Sequence, residues 1–379
     1  MPMPVIRPSL RLRPSRKGSR AFARPSPATD RLTDLAPPRV NPGALGARYY
    51  VPAGLKGPAP LVVVLHGCTQ NAAVYDQGSG WSKLADRHGF ILLFPEQSRA
   101  NNPLLCFNWF SPGDAARGAG EAASIRSMIE DMRGRHEIDV GRIFVTGLSA
   151  GGAMASAMLA TYPELFAGGA IIAGIAYGCA TGVSQAYDCM GGRARADAAE
   201  LGRRVRRASG HRGPWPRVQV WQGSADRTVA ASNADAIVLQ WTHLHGLSPE
   251  PDRTERVAGH PLRIWLGRDG RPAIEQYTIT GMDHGIPIDP GSGEDALGEA
   301  GAHMLDVGLG STERIAAFFG IAPEPEERRE RVAKPQPAGR LAALKPAPAG
   351  RKAPAGRKAP AGGVQATIEK ALRAAGLMR

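Results

Sequence analysis

Ser149 stands in Gly147-Leu148-Ser149-Ala150-Gly151, which fits the pattern G-x-S-x-G. A serine hydroxyl is a weak nucleophile; acyl transfer needs a base beside it and a carboxylate to orient that base. The pentapeptide follows an apolar, β-branched run, Arg142-Ile143-Phe144-Val145-Thr146, and precedes an Ala- and Met-rich stretch from Ala153 to Ala160. So tight a turn between strand and helix strains the serine backbone and exposes its Oγ at the carboxyl edge of a sheet. The helix N-terminus behind it also favours the negative charge that develops during acyl transfer.

In this arrangement the acid and then the base should follow the serine along the chain. Asp226 lies in Gly223-Ser224-Ala225-Asp226-Arg227-Thr228-Val229, just past the buried run Arg217-Val218-Gln219-Val220-Trp221. The carboxyl end of a strand suits a triad acid. Of nine histidines, His260, His284 and His303 lie far enough downstream to serve as base. His284, in the loop Thr280-Gly281-Met282-Asp283-His284-Gly285 after an apolar run, is the expected base. His260 precedes a strand and would sit at the wrong edge, and His303 falls in a Gly-rich insertion. Asp283 is an alternative acid, but an immediate neighbour seldom orients the ring it precedes. His243 and His245, two apart on a helical stretch, share no face, so a metal pair is not expected. This chemistry calls for no metal and no cofactor.

His66-Gly67-Cys68-Thr69-Gln70 ends the run Leu61 to Leu65, where the first oxyanion-hole amide is expected. The donors would be the backbone N–H groups of Cys68 and Ala150. Cys68 as a nucleophile would lack a positioned base nearby. His66 is open to two roles, a substrate contact or packing beneath the loop.

The elements that must hold these residues read as an α/β fold. Leu61 to His66, Phe90 to Phe94, Arg142 to Thr146, Gly169 to Ala173 and Arg217 to Trp221 are continuous apolar runs. A parallel sheet covered on both faces requires such runs. Between them, Gly120 to Glu137 and Asn233 to His245 show helical periodicity. Strands alternating with helices predict βαβ units in one mostly parallel, doubly wound sheet. Two further apolar segments flank Asp269-Gly270, a hairpin signal. Ser311 to Gly320 closes the domain as a helix, with Ser311 as N-cap and Gly320 at its stop.

The 379 residues carry a formal net charge of +13, but unevenly. Residues 1–30 are net +6 and residues 321–379 net +8, leaving 31–320 at −1. The basicity suggestive of a nucleic-acid binder therefore belongs to the two ends. Residues 1–44 are expected to form a disordered basic arm, 45–321 the catalytic domain, and 322–379 a flexible tail. In that tail Pro-Ala-Gly-Arg-Lys-Ala recurs at 348–353 and 354–359, and Val364 to Leu377 has the spacing of a short amphipathic helix. Such ends could contact anionic surfaces or nucleic acid without sequence preference. No apolar run approaches the roughly 20 residues of a membrane span. The basic N-terminus lacks the apolar stretch of an export signal. Cys68, Cys106, Cys179 and Cys189 fit no zinc pattern; Cys68–Cys106 and Cys179–Cys189 are the economical disulfides, with four reduced thiols equally compatible.

Several stretches together resemble a known family. They are Tyr49-Tyr50-Val51-Pro52, Leu65-His66-Gly67-Cys68-Thr69-Gln70, Phe94-Pro95-Glu96-Gln97, Asn108-Trp109-Phe110 and the segments around Ser149, Asp226 and His284. In order and spacing, the chain from about Gly43 to Gly320 resembles the polyhydroxybutyrate-depolymerase-like esterases, short-chain polyhydroxyalkanoate depolymerases with a type 1 catalytic domain. The resemblance implies an α/β-hydrolase fold and hydrolysis of 3-hydroxybutyrate esters or oligomers, with feruloyl or acetyl-xylan esters as the alternative. It implies Ser149, Asp226 and His284 as the triad, Cys68 at the oxyanion position and in a disulfide to Cys106, and Trp109 as a wall of the substrate cleft. It points to an extracellular protein, whereas the missing export signal leaves a cytoplasmic one as the alternative.

Overall fold

The structure, a computed structural model, describes residues 30–325 except 195 and 292–295. The basic repeat, the segment 364–377 and the arm 1–29 lie outside the described residues. The chain opens with strands β1 (Thr33–Asp34), β2 (Gly46–Tyr50) and β3 (Ala59–Leu65), then helices α1 (Ala72–Ser79) and α2 (Trp81–His88). Strand β4 (Ile91–Glu96), helices α3 (Pro112–Ala115) and α4 (Gly120–Arg135), strand β5 (Ile138–Leu148) and helix α5 (Ala150–Thr161) follow. Next come β6 (Gly168–Ile172), α6 (Val183–Met190), α7 (Ala198–Ser209), β7 (Arg217–Gly223) and α8 (Ser232–His245). The last elements are β8 (Arg253–Val257), β9 (His260–Leu266), β10 (Pro272–Ile279), β11 (Ile286–Ile288), β12 (Met304–Asp306) and α9 (Ser311–Phe318).

The main sheet runs β1-β2-β4-β3-β5-β6-β7-β10-β9-β8. Its centre, β4 to β10, is parallel throughout, and the added edge strands pair antiparallel. The continuous apolar runs are explained by burial on both faces. In β3, Leu61, Val63 and Leu65 enter the core beneath α4, α5 and α8, while Val62 and Val64 enter the core beneath α1, α2 and α9. This is the α/β-hydrolase arrangement expected from the sequence, and it brings the carboxyl ends of β3, β5, β7 and β10 to one edge. The hairpin also forms: β9 and β10 pair across Asp269-Gly270, with Gly270 at φ +75°.

Two expectations change. The expected arm does not extend to residue 44, because residues 30–44 belong to the folded unit. Leu32, Leu35 and Leu45 are buried, and Leu35 N–H donates to Ala47 O at 2.9 Å. Arg48 of β2 pairs with both Asp30 and Asp34 at 2.8 Å, tying this segment to the sheet edge. Ser311 does not cap α9: it is the first helical residue, and its Oγ donates to Pro287 O at 2.9 Å.

Candidate active site

Ser149 sits between β5 and α5 with φ 58° and ψ −117°, a conformation that costs a non-glycine residue roughly 1–3 kcal/mol. Its surroundings hold it there. Ser149 N–H donates to Ile172 O at 2.9 Å, and its carbonyl accepts from Ala153 N–H at 2.8 Å. A Cβ on Gly147 would lie 2.4 Å from Gly151 O, and one on Gly151 would lie 2.3 Å from Leu65 O. The two glycines of the pattern are therefore demanded by close backbone approach between the elbow and the end of β3.

Asp226 follows β7 in a turn that consumes its first carboxylate oxygen. Oδ1 accepts from Thr228 N–H and Val229 N–H, each at 2.8 Å. Oδ2 accepts from Gln222 Nε2 at 3.0 Å and lies 2.7 Å from His284 Nδ1. A carboxylate facing Nδ1 makes that nitrogen the proton carrier, which leaves Nε2 as the basic one. The Asp226 side chain is wholly buried and that of His284 is 7% exposed, so their contact is shielded from solvent screening.

The loops carrying Asp226 and His284 are bonded directly to each other. Ala225 N–H donates to Met282 O at 3.0 Å, and Gly281 N–H donates to Ser224 Oγ at 2.8 Å. Asp283 turns away from the imidazole: its Oδ1 accepts from the backbone N–H of His284 and of Arg227 at 2.8 and 3.3 Å. It is a staple between the loops rather than a second acid. His260 opens β9, and its Nδ1 accepts from Thr280 N–H at 3.1 Å, away from the serine.

The turn after β3 supplies the other side of the site. Gly67 N–H donates to Gln70 Oε1 at 2.9 Å, Thr69 N–H to Leu104 O at 2.7 Å, and Gln70 N–H to Gly67 O at 3.3 Å. The Cys68 amide is the one N–H of this turn without an acceptor among the described residues. Ala150 begins α5, so its N–H has no intrahelical acceptor either. Cys68 is joined to Cys106, which removes it as a thiol nucleophile, and Cys179 is joined to Cys189.

Gly67, Cys68, Ser149, Ala150 and His284 line one cleft of about 350 Å³. Its walls are apolar, among them Leu104, Trp109, Phe110, Ile175, Val183 and Met190. Trp109 also packs on the core and meets Phe110 edge-on at 5.6 Å, so it is wall and core at once. The Cys179–Cys189 crosslink ties α6, which carries Val183, Ala186 and Met190, to the loop after β6. Among the described residues, no group of three or more His, Cys, Asp or Glu is placed to hold a metal ion.

His66 requires a correction. It is 1% exposed and does not line the cleft. Its Nδ1 meets Gly67 O at 2.8 Å and its Nε2 accepts from Gln97 N–H at 3.1 Å. With both nitrogens engaged by backbone, it packs beneath the oxyanion turn instead of touching substrate. Burial pushes its pKa down to about 4 and keeps it neutral. Conversely, His303 lines the cleft and had no assigned role in the sequence. Its ring lies edge-on to His284 at 5.8 Å, and its Nδ1 meets His284 O at 3.1 Å. Nothing in the sequence around it beyond a flanking glycine signals that position.

A profile of the family described as Esterase PHB depolymerase matches residues 45–259. Poly(3-hydroxyalkanoate) depolymerase C from Paucimonas lemoignei is 47% identical over 291 residues, 76% of this chain and 70% of that protein. The chain belongs to the PHB depolymerase esterase family. It is a carboxylic ester hydrolase. An acetylxylan esterase from Coprinopsis cinerea is 33% identical to it, over 68% of this chain and 69% of the relative. Feruloyl esterase B from Talaromyces stipitatus is 28% identical over 68% and 73% of the two chains. Among solved structures, the acetyl xylan esterase from Aspergillus awamori superposes with a TM-score of 0.64 at 25% identity, covering 77% of this esterase and 99% of that chain.

Proposed function

We propose that this esterase cleaves short-chain hydroxyalkanoate esters, in particular 3-hydroxybutyrate oligomers, through an acyl-enzyme on Ser149. His284 Nε2 takes the Ser149 proton while Asp226 holds Nδ1–H and stabilises the imidazolium. The N–H groups of Cys68 and Ala150 receive the oxyanion, and His284 returns its proton to the leaving alcohol. Water then attacks the acyl group by the same steps in reverse order of partners. The observation that carries this reading is the 2.7 Å contact between His284 Nδ1 and Asp226 Oδ2 at a cleft that Ser149 also lines.

The cleft and the relatives support a short hydroxyacyl group. Apolar walls and a volume of about 350 Å³ suit a short, branched acyl chain rather than a sugar surface. The 47% identity to a poly(3-hydroxyalkanoate) depolymerase points the same way. A cleft of this size admits a chain end or a soluble oligomer, and soluble oligomers are the favoured substrate. The second reading, acetyl or feruloyl ester cleavage on polysaccharide, is favoured by the 33% identical acetylxylan esterase. A panel of hydroxybutyrate trimer, polymer film, acetyl-xylan and methyl ferulate, with Ser149→Ala as blank, separates them. The trimer should give the highest kcat/KM; faster turnover of acetyl-xylan would reverse the assignment.

Two disulfides in one fold favour an oxidising compartment. The basic ends, outside the described residues, would add reversible attachment to anionic surfaces. Deleting both 1–29 and 326–379 should abolish salt-sensitive retention on a phosphate-bearing resin and leave hydrolysis unchanged; retention equal to that of the full chain would refute this role.

A further inference from the structure

Glu121 is the most deeply buried carboxylate of the described fold outside the acid–base pair, at 0% exposure in the first turn of α4. Every contact of its two oxygens comes from an N–H donor. Oε1 accepts from Gln97 Nε2 at 2.6 Å, from Asn108 Nδ2 at 2.8 Å and, more weakly, from Asn101 Nδ2 at 3.3 Å. Oε2 accepts from Asn108 N–H at 2.8 Å. Gly43 closes the site from above, since a Cβ there would lie 2.5 Å from Glu121 Cα. Burial pushes the carboxyl's pKa up, while the N–H donors of Asn108 and Gln97 oppose that shift by favouring the ionised form, so keeping the group here costs stability that an apolar side chain would not. The arrangement needs another reason.

That reason lies in where the donors lead. Gln97 Nε2 also donates to Cys106 O at 3.0 Å. Asn108 Oδ1 accepts from Asn102 Nδ2 at 2.9 Å, and Asn102 Oδ1 in turn accepts from Leu104 N–H at 3.0 Å and from Cys106 N–H at 3.4 Å. Both routes end on the short segment 104–106. That segment holds the oxyanion turn twice, through Leu104 O to Thr69 N–H and through the Cys106–Cys68 crosslink. Backbone strain marks the same two places: Thr69 has φ 64° and Leu105 φ 57°. Strained turns persist only where their surroundings over-determine them.

We infer that Glu121 is a positioning residue for the oxyanion hole, setting the Cys68 N–H through Gln97, Asn108, Asn102 and the Cys106–Cys68 crosslink. The inference rests on Ser149 acylation, and it assigns a task to a carboxylate that touches no reacting atom. A carboxylate can accept all four bonds; an amide of the same shape would turn an NH2 group toward an N–H donor. Glu121→Gln therefore keeps the volume and breaks the network. A donor shifted by a fraction of an ångström stabilises the transition state less and leaves substrate binding nearly unchanged.

The test compares Glu121→Gln with the wild type on p-nitrophenyl butyrate, with thiol titration and circular dichroism to establish an intact crosslink and fold. The expected result is a fall in kcat of about 10- to 100-fold with KM within twofold. Inhibition by butylboronic acid, which mimics the tetrahedral adduct, should weaken by the same factor. A folded Glu121→Gln with kcat within twofold of wild type overturns the inference, as does a raised KM with kcat retained, which would make Glu121 a support of the cleft wall alone. Should that variant fail to fold, Asn102→Ala interrupts the route nearer to Cys106; an equal loss of kcat supports the inference, and wild-type kcat overturns it. Hydrolysis persisting in the Ser149→Ala blank would sink the acyl-enzyme reading instead.

Discussion

The two sides of the cleft are held in different ways. On the acid–base side, the loops after β7 and β10 come from neighbouring strands and bond directly to each other, so Asp226 and His284 meet as a consequence of strand order. On the other side, the turn after β3 is held by the long loop that follows the neighbouring strand β4, through a disulfide, a buried histidine and a buried carboxylate network. Both sides start from neighbouring strands, since β4 lies beside β3 and sets Gln97 against His66, but the turn after β3 adds a crosslink because its partner segment 104–106 lies well beyond the end of β4. The contrast teaches that two loops bonded to each other close to their strands need little else, whereas a turn held from the middle of a long loop is braced at several points.

The comparison breaks most visibly at the acid. Asp226→Asn keeps the shape but no longer favours the proton on Nδ1, so kcat should fall about 10^4-fold at neutral pH with the fold retained. A loss under tenfold would mean that the 2.7 Å contact orients nothing of consequence. Next in size is the pair of disulfides. Replacing Cys68 and Cys106 together by serine frees the oxyanion turn, and kcat should fall about tenfold or more with KM little changed. Replacing Cys179 and Cys189 should instead lower stability by about 2 kcal/mol, raise KM as α6 loosens, and spare kcat. Identical kinetic signatures from both pairs would erase the proposed division of labour.

The smallest effect concerns His66. Its folded pKa, lowered from 6.5 to about 4 by burial, means the unfolded chain binds a proton first as pH falls. The stability associated with neutral His66 is thus present above pH 6.5 and lost as pH drops toward about 4, by roughly 3 kcal/mol in all. Urea unfolding at pH 7 and pH 4.5 should show this slope in wild type and a shallower one in His66→Gln. Equal slopes would mean that His66 is reached by solvent after all.

How much of this could be read from residues alone follows the same division. The strand ends that carry Ser149, Asp226 and His284 were legible because each follows an apolar run, and the end of a strand is a local signal. The parallel sheet was legible because Val62 and Val64 face one core and Leu61, Val63 and Leu65 the other, leaving no polar alternation. Glu121 was not legible. An acidic residue in the first turn of a helix is the ordinary complement of the helix dipole, and nothing local shows that a loop will fold over it. Residues 30–44 read as an arm because they show no periodicity, and nothing local signals that Arg48 of β2 will pair with Asp30 and Asp34. His66 was ambiguous between cleft and packing because both positions lie at the end of β3, one residue apart.

All of this depends on Ser149 being the acylated atom. Treating the folded protein with a fluorophosphonate and mapping the adduct by peptide mass spectrometry tests it most directly. A single stoichiometric adduct on the peptide containing Ser149, absent from an inactive Ser149→Ala variant, is the expected result. A label on any other residue, or ester hydrolysis undiminished in Ser149→Ala, would contradict the account.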